Sequence, residues 1–236
     1  MIFMIEIKLI DECGFETAIT GMRASHRSYD KSDSRFIDDW GSRDYDNIGV
    51  ADEMLMCNLA RSGSSHAKYR RMLVVYLDIL APLYWWKEFD TYKVGTVTLS
   101  ESTMHSICDK EFEPDDFSHE HTGILDIREF AFSSPFEFID TNNHLHGTIQ
   151  RLNLYRNGYL WYKDKDPEIA KRFWWQIIQQ LPSSYNQRRF EMLNYEVLAN
   201  IYKDRKNHRL DEWREFCKWI ESLPCAEVMT GGDKDV

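Results

Sequence analysis

The run Leu77-Asp78-Ile79-Leu80-Ala81-Pro82-Leu83-Tyr84-Trp85-Trp86-Lys87-Glu88-Phe89-Asp90-Thr91-Tyr92-Lys93-Val94-Gly95-Thr96 decides how this chain is read. Its apolar start, with the β-branched and aromatic residues before it, predicts a long strand over 69–81. Pro82 then opens a helix, because the N–H that proline lacks has no partner in a first turn anyway. Aromatic and charged residues crowd that helix. Beyond it, Thr96, Ser100, Ser102 and Thr103 mark a hydroxyl-rich loop. An ammonium at Lys93 with hydroxyls after a helix can cradle an anion. The alternative is an ordinary loop whose hydroxyls only form turns.

The rest of the chain sets limits on that reading. With 236 residues, 43% apolar and 14% aromatic, it can bury a substantial core, and disorder is excluded for most of its length. A net charge of −10 argues against general binding of nucleic acid or membrane surfaces, yet allows one local basic pocket. Cys13, Cys57, Cys108, Cys217 and Cys225 are odd in number and scattered, as expected of reduced thiols in the cytoplasm. Ile5, Ile7 and Leu9 alternate with Glu6 and Lys8, which predicts a first strand within 1–10 rather than a signal peptide. No apolar run approaches the roughly 20 residues that span a bilayer. The expectation is a soluble, cytoplasmic protein.

Helical spacing predicts helices over 15–26 and 51–61, the second with Met54, Leu55 and Leu59 on one side and closed by Ser62-Gly63. Residues 106–148 read as an irregular excursion with one hairpin, containing short apolar runs at 130–132 and 136–139. The last third reads as helices over 147–157, 166–181, 186–204 and 209–222, with Asp166-Pro167-Glu168 as an N-terminal cap. Without repeats or linkers, the economical reading is a single α+β domain over 1–225 and a frayed tail over 226–236.

Two blocks, Ser64-Ser65-His66 through Ser102-Thr103-Met104-His105 and Leu181-Pro182 through Arg205, resemble the flavin-dependent thymidylate synthases. In that family a Gly-His step, a strand, an Ala-Pro step and a helix lead to Arg-His-Arg-x-x-Ser, then Ser-x-Arg-Tyr. Here His66 follows Ser64-Ser65, Ala81-Pro82 falls in register, and Thr91-Tyr92-Lys93-Val94-Gly95-Thr96 occupies the signature. Ser102-Thr103-Met104-His105 takes the later motif after one inserted residue. In the second block Leu181-Pro182, Asn194, Asn200 and Arg205 stand at the family's Leu-Pro, Asn, Asn and Arg offsets. The resemblance spans about residues 5–220.

The resemblance implies a mixed or antiparallel sheet with a mostly helical C-terminal half, a homotetramer, and active sites between subunits. It implies FAD as cofactor, dUMP as substrate, and NADPH and methylene-tetrahydrofolate if the chain is catalytic. Lys93, Thr96, Asn194, Asn200 and His66 would then meet cofactor. Ser100, Ser102, Arg205 and Glu88 would meet substrate, with Lys93 and Arg205 the phosphate cations. Several signature charges differ: Thr91 and Tyr92 replace Arg and His, Met104 and Glu196 replace Arg, and Glu88 replaces Gln. Each lost charge-assisted hydrogen bond costs about 1.5–3 kcal/mol.

Each of these sites also has a plainer reading. Asn194, Asn200 and Arg205, expected near one face of one helix, also suit a solvated polar surface. Trp85-Trp86 and Trp174-Trp175 suit a core or subunit interface better than stacking on a ring. His119-Glu120-His121 and His144-Leu145-His146 have strand-like chelating spacing but no third ligand, so no metal is expected. The sequence therefore predicts a nucleotide-binding protein, with a non-catalytic descendant that sequesters a nucleotide or regulates a partner as the alternative. A purely structural oligomer is the third reading.

Overall fold

The computed structural model describes residues 5–36, 47–128 and 136–231. Residues 1–4, the apolar run at 130–132 and the tail beyond 231 lie outside the described residues. The chain forms strands β1 (Glu6–Cys13), β2 (Val74–Pro82), β3 (Thr96–Ser100), β4 (Ile124–Asp126), β5 (Phe138–Asp140) and β6 (Asn186–Asn194). Its helices are α1 (Phe15–Ala24), α2 (Val50–Arg61), α3 (Leu83–Phe89), α4 (Thr103–Ser106), α5 (Thr141–Tyr162), α6 (Pro167–Gln180), α7 (Tyr195–Arg205), α8 (Asp211–Glu221) and α9 (Glu227–Thr230). This is the expected α+β class. A four-stranded sheet has the order β1-β2-β6-β3, and β4 pairs with β5.

The residues group into two compact units, 5–80 with 89–99 and 189–231, and 81–88 with 100–188. In the first, β1 and β2 pair antiparallel from Glu6↔Leu80 to Cys13↔Val74, with an irregularity between Leu9 and Asp11. Val75, Leu77 and Ile79 of β2 are fully buried while Tyr76 between them is exposed. One face of the sheet is therefore covered and the other open, as alternation dictates. The open face presents Ile10, Tyr76, Val97, Leu99 and Phe190, all exposed, around a groove of about 510 Å³. Phe15 meets Tyr195 edge to face at 5.9 Å, and the Tyr195 amide donates to the Leu73 carbonyl.

In the second unit, α5 and α6 pack as a helical hairpin over Phe112, Phe117, Ile149, Leu152 and Ile177. Gly158 allows this approach, since a Cβ there would lie 2.7 Å from the Phe173 ring. Asp140 caps α5 by accepting from the Asn142 and Asn143 amides, and Asp166 caps α6 as its sequence predicts. The β4–β5 pair is the expected hairpin. Trp85 and Trp86 are fully buried, the core role anticipated for them, and Trp86 Nε1 donates to the Gln187 carbonyl at 2.9 Å.

Several expectations are corrected. The helix predicted over 186–204 is a strand to Asn194 and a helix only from Tyr195. Glu191 and Leu193 are buried there while Phe190 is exposed, a period of two that polar neighbours obscure in the sequence. The long strand over 69–81 begins at Val74, after a 3-10 turn, Ala67–Arg71. The hydroxyl-rich loop after Thr96 is edge strand β3. Met54 is exposed, and the inward side of α2 is Asp52, Met56 and Cys57. Packing continues past 225, because Val228 and Met229 of α9 are buried. His144 and His146 lie on α5 rather than a strand. Among the described residues, no group of three His, Cys, Asp or Glu side chains could hold a metal, and no helix is long and apolar enough to cross a membrane.

Candidate functional site

The residues predicted for binding fall in both units. In the first unit the turn between α3 and β3 lies against helix α7 at two points. Gly95, with φ +82°, sits so close that a Cβ would come 2.6 Å from Asn194 Nδ2. Only glycine satisfies both the left-handed backbone and that approach. At the other point, Arg205 Nε donates to the Tyr92 hydroxyl at 3.0 Å. Its guanidinium carbon lies 4.8 Å from the Trp213 ring centre and 5.7 Å from that of Tyr92. Arg205 Nη1 also lies 3.0 Å from His208 Nε2.

Arg205 is thus engaged in a cation–π and hydrogen-bonded cluster. Burial raises the Tyr92 hydroxyl pKa, and Arg205 partly offsets that. Lys93, between the two points of contact, is exposed. Thr96 opens β3 with its Oγ1 buried and without a hydrogen-bond partner. Asn194 is the N-cap of α7, its Oδ1 accepting from the Val197 amide at 3.0 Å. Asn194, Asn200 and Arg205 therefore belong to a strand end and a helix, not to one continuous helix. Asn200 is exposed, and exposed His66 precedes the 3-10 turn that packs on α7.

Glu196, at a position where the resemblance has arginine, lies 3.6 Å from Arg70 Nη1, with both side chains mostly buried. The reversed charge is answered within the unit. A second buried carboxylate, missed in the sequence, lies on β6. Glu191 is 2% exposed, and its Oε2 accepts from Thr98 Oγ1 at 2.7 Å while Oε1 has no partner. Burial pushes its pKa up to about 7, against the smaller lowering effects of Thr98 and Arg189. Its signal in the sequence is a glutamate between Phe190 and Met192, visible only when 186–194 is taken as a strand.

In the second unit, Glu88 is half-buried on α3 and Ser100 is exposed at the end of β3. Ser102 caps α4, its Oγ accepting from the His105 amide at 3.3 Å and lying 2.8 Å from His105 Nδ1. Ser102 also lines a cavity of about 520 Å³ with Glu101, Asp109, Lys110 and Asp116. Lys110 is already paired with Asp116. Carboxylates outnumber cations there, an environment that disfavours a phosphate.

No family profile and no curated protein sequence matches the chain. Solved structures do. A crystal structure of Thymidylate Synthase X from Helicobacter pylori with FAD and dUMP aligns with a TM-score of 0.62 at 17% identity, covering 97% of this chain and 98% of that one. A second Helicobacter pylori structure of the flavin-dependent enzyme, complexed with FAD and dUMP, gives the same values. A UMP/dUMP methylase, PolB from Streptomyces cacaoi bound with 5-Br dUMP, aligns at 0.55 and 15% identity, covering 96% and 94% of the two chains. The element order and the coverage together agree with the resemblance seen in the sequence: this chain has the flavin-dependent thymidylate synthase fold over nearly its whole length.

Proposed function

We propose that this protein binds a pyrimidine nucleoside monophosphate at a site completed between subunits of a homotetramer. One observation carries the reading: 97% of the chain is similar in fold to Helicobacter pylori structures whose ligands are FAD and dUMP. On this chain, Lys93 is the exposed cation of the turn before β3. Asn200 and His66 add polar groups open to a ligand or a second subunit. The apolar open face of the sheet supplies a surface that a second copy would cover.

The residues present fit FAD poorly. Tyr92 stands where the resemblance has a histidine that gathers the cofactor, and its hydroxyl is taken by Arg205. Glu196 stands where it has an arginine, and faces Arg70 instead. Neither offers a cation to a diphosphate. The same two positions favour a non-catalytic role, holding a nucleotide or signalling its presence to a partner, over reductive methylation.

The test is the colour of the purified protein together with its thermal melting against dUMP, UMP, dTMP and FAD. Colourless protein stabilised by one monophosphate is expected. A ligand at a hundred times its Kd contributes about 2.7 kcal/mol. Yellow, flavin-loaded protein would overturn the non-catalytic reading, and indifference to every nucleotide would overturn binding itself.

A further inference from the structure

We propose that Glu191 is a proton-controlled positioning residue for β3: as a neutral acid it is tolerated beneath the closed edge strand, and on ionising it favours the opened strand, in which the charge reaches water.

The geometry points to this arrangement. β3 lies at the end of the sheet order, so among the described residues β6 is its only strand neighbour. It is short, and all its residues but Thr96 are exposed. The hydrogen bond from Thr98 Oγ1 to Glu191 Oε2, 2.7 Å long, ties its middle to β6 beneath. The carboxyl is 2% exposed and its second oxygen has no donor.

A buried carboxylate oxygen without a donor is unfavourable when charged and tolerable when protonated. Strand alternation puts Thr96 on the same face as Thr98, and the Thr96 hydroxyl is also buried without a partner. Two unsatisfied polar atoms on one face leave this edge with less holding it than a ladder interior has.

The charged groups acting on Glu191 are Arg189, which favours ionisation, and Asp90, which opposes it. They are bound to each other, Arg189 Nη1 to Asp90 Oδ1 at 2.7 Å, so neither is a dedicated counter-ion. Burial outweighs them, and the acid titrates at about 7.

Consequences for the ligand rest on the proposed nucleotide site, because β3 begins where the Lys93 turn ends. Loosening β3 at alkaline pH would disturb that turn and weaken its hold on a phosphate.

The experiment follows hydrogen–deuterium exchange of the amides of 96–100 in the ligand-free full chain at pH 5.5 and 8. Glu191→Gln serves as reference, since it keeps the shape and cannot ionise. The ratio of wild-type to variant opening constants should rise roughly tenfold between those pH values, as linkage requires of a group that binds its proton more tightly when folded. An unchanged ratio overturns the proposal.

Should the variant fail to fold, infrared spectra of the wild type decide. A protonated carboxyl band at neutral pH that is lost by pH 9 supports the proposal, and its absence at pH 6 overturns it. dUMP titrations form a separate arm, in which affinity falls with rising pH in the wild type more than in Glu191→Gln. If neither protein binds dUMP, the nucleotide reading fails while the exchange result stands on its own.

Discussion

Asp52 and Glu191 are both buried carboxyls in the same unit, and they behave in opposite ways. Asp52 accepts from Arg23 Nε at 2.5 Å, from the Ser32 and Ser34 hydroxyls at 2.7 Å each, and from the Asp33 and Ser34 amides. Burial alone would raise its pKa, but these donors outweigh burial and hold it at about 2. Glu191 has one hydroxyl donor and a diverted arginine, and burial wins. The charge follows from the balance between donors and burial. The Asp52 hub also fastens the segment before α2, where Asp33 accepts from the Ala51 and Asp52 amides.

The hub should give way most expensively. Asp52→Ala leaves Arg23 buried without its counter-ion, and the expected loss is about 3–5 kcal/mol in denaturant unfolding. The folded pKa lies below the usual 3.8, so Asp52 stabilises the fold above about pH 4 and that contribution is lost as pH falls toward 2. Glu191 carries the reverse sign. Its folded pKa of about 7 exceeds the ordinary 4.5, so stability is full below that value and declines as pH rises through 7. Glu191→Gln should therefore be more stable than wild type at pH 8, by at most about 3 kcal/mol, and show no such gain near pH 4.5. Thermal melts across pH compare the two directly.

Smaller effects refine the contrast between side chains held within the fold and exposed ones. Arg205→Ala removes a cation–π contact and a hydrogen bond, and about 2 kcal/mol of stability should go with them. Lys93→Ala, at an exposed position, should change stability by less than about 0.5 kcal/mol while weakening any phosphate ligand. Gly95→Ala meets both a positive φ and a contact with Asn194, with an expected loss of about 1–2 kcal/mol. Phe190→Asp should leave the subunit's melting almost unchanged and lower the mass seen in sedimentation.

Much of this fold was legible where local signals agree. The apolar run into Pro82, the Asp166-Pro167 cap and the hairpin within 106–148 each follow from one rule acting over a few residues. Residues 186–194 misled because Arg188, Arg189 and Glu191 mask the alternation, and their strand character comes from a distant partner. Thr96, Thr98 and Ser100 look like a loop, yet an edge strand tolerates polar residues as readily. The pairing of Arg23 with Asp52, 29 residues apart, has no local signature at all. At the candidate site, the resemblance pointed to Lys93, Asn194 and Arg205. It did not reveal that Tyr92, His208 and Trp213 hold Arg205 in place.

The most direct measurement is isothermal titration of dUMP into the wild-type protein and into Lys93→Ala at pH 6. Saturable binding by the wild type, weakened roughly tenfold or more in the variant, is the predicted result, since a charge-assisted contact contributes about 1.5–3 kcal/mol. Equal affinity in both proteins, or no heat from either, would contradict a phosphate site at this turn.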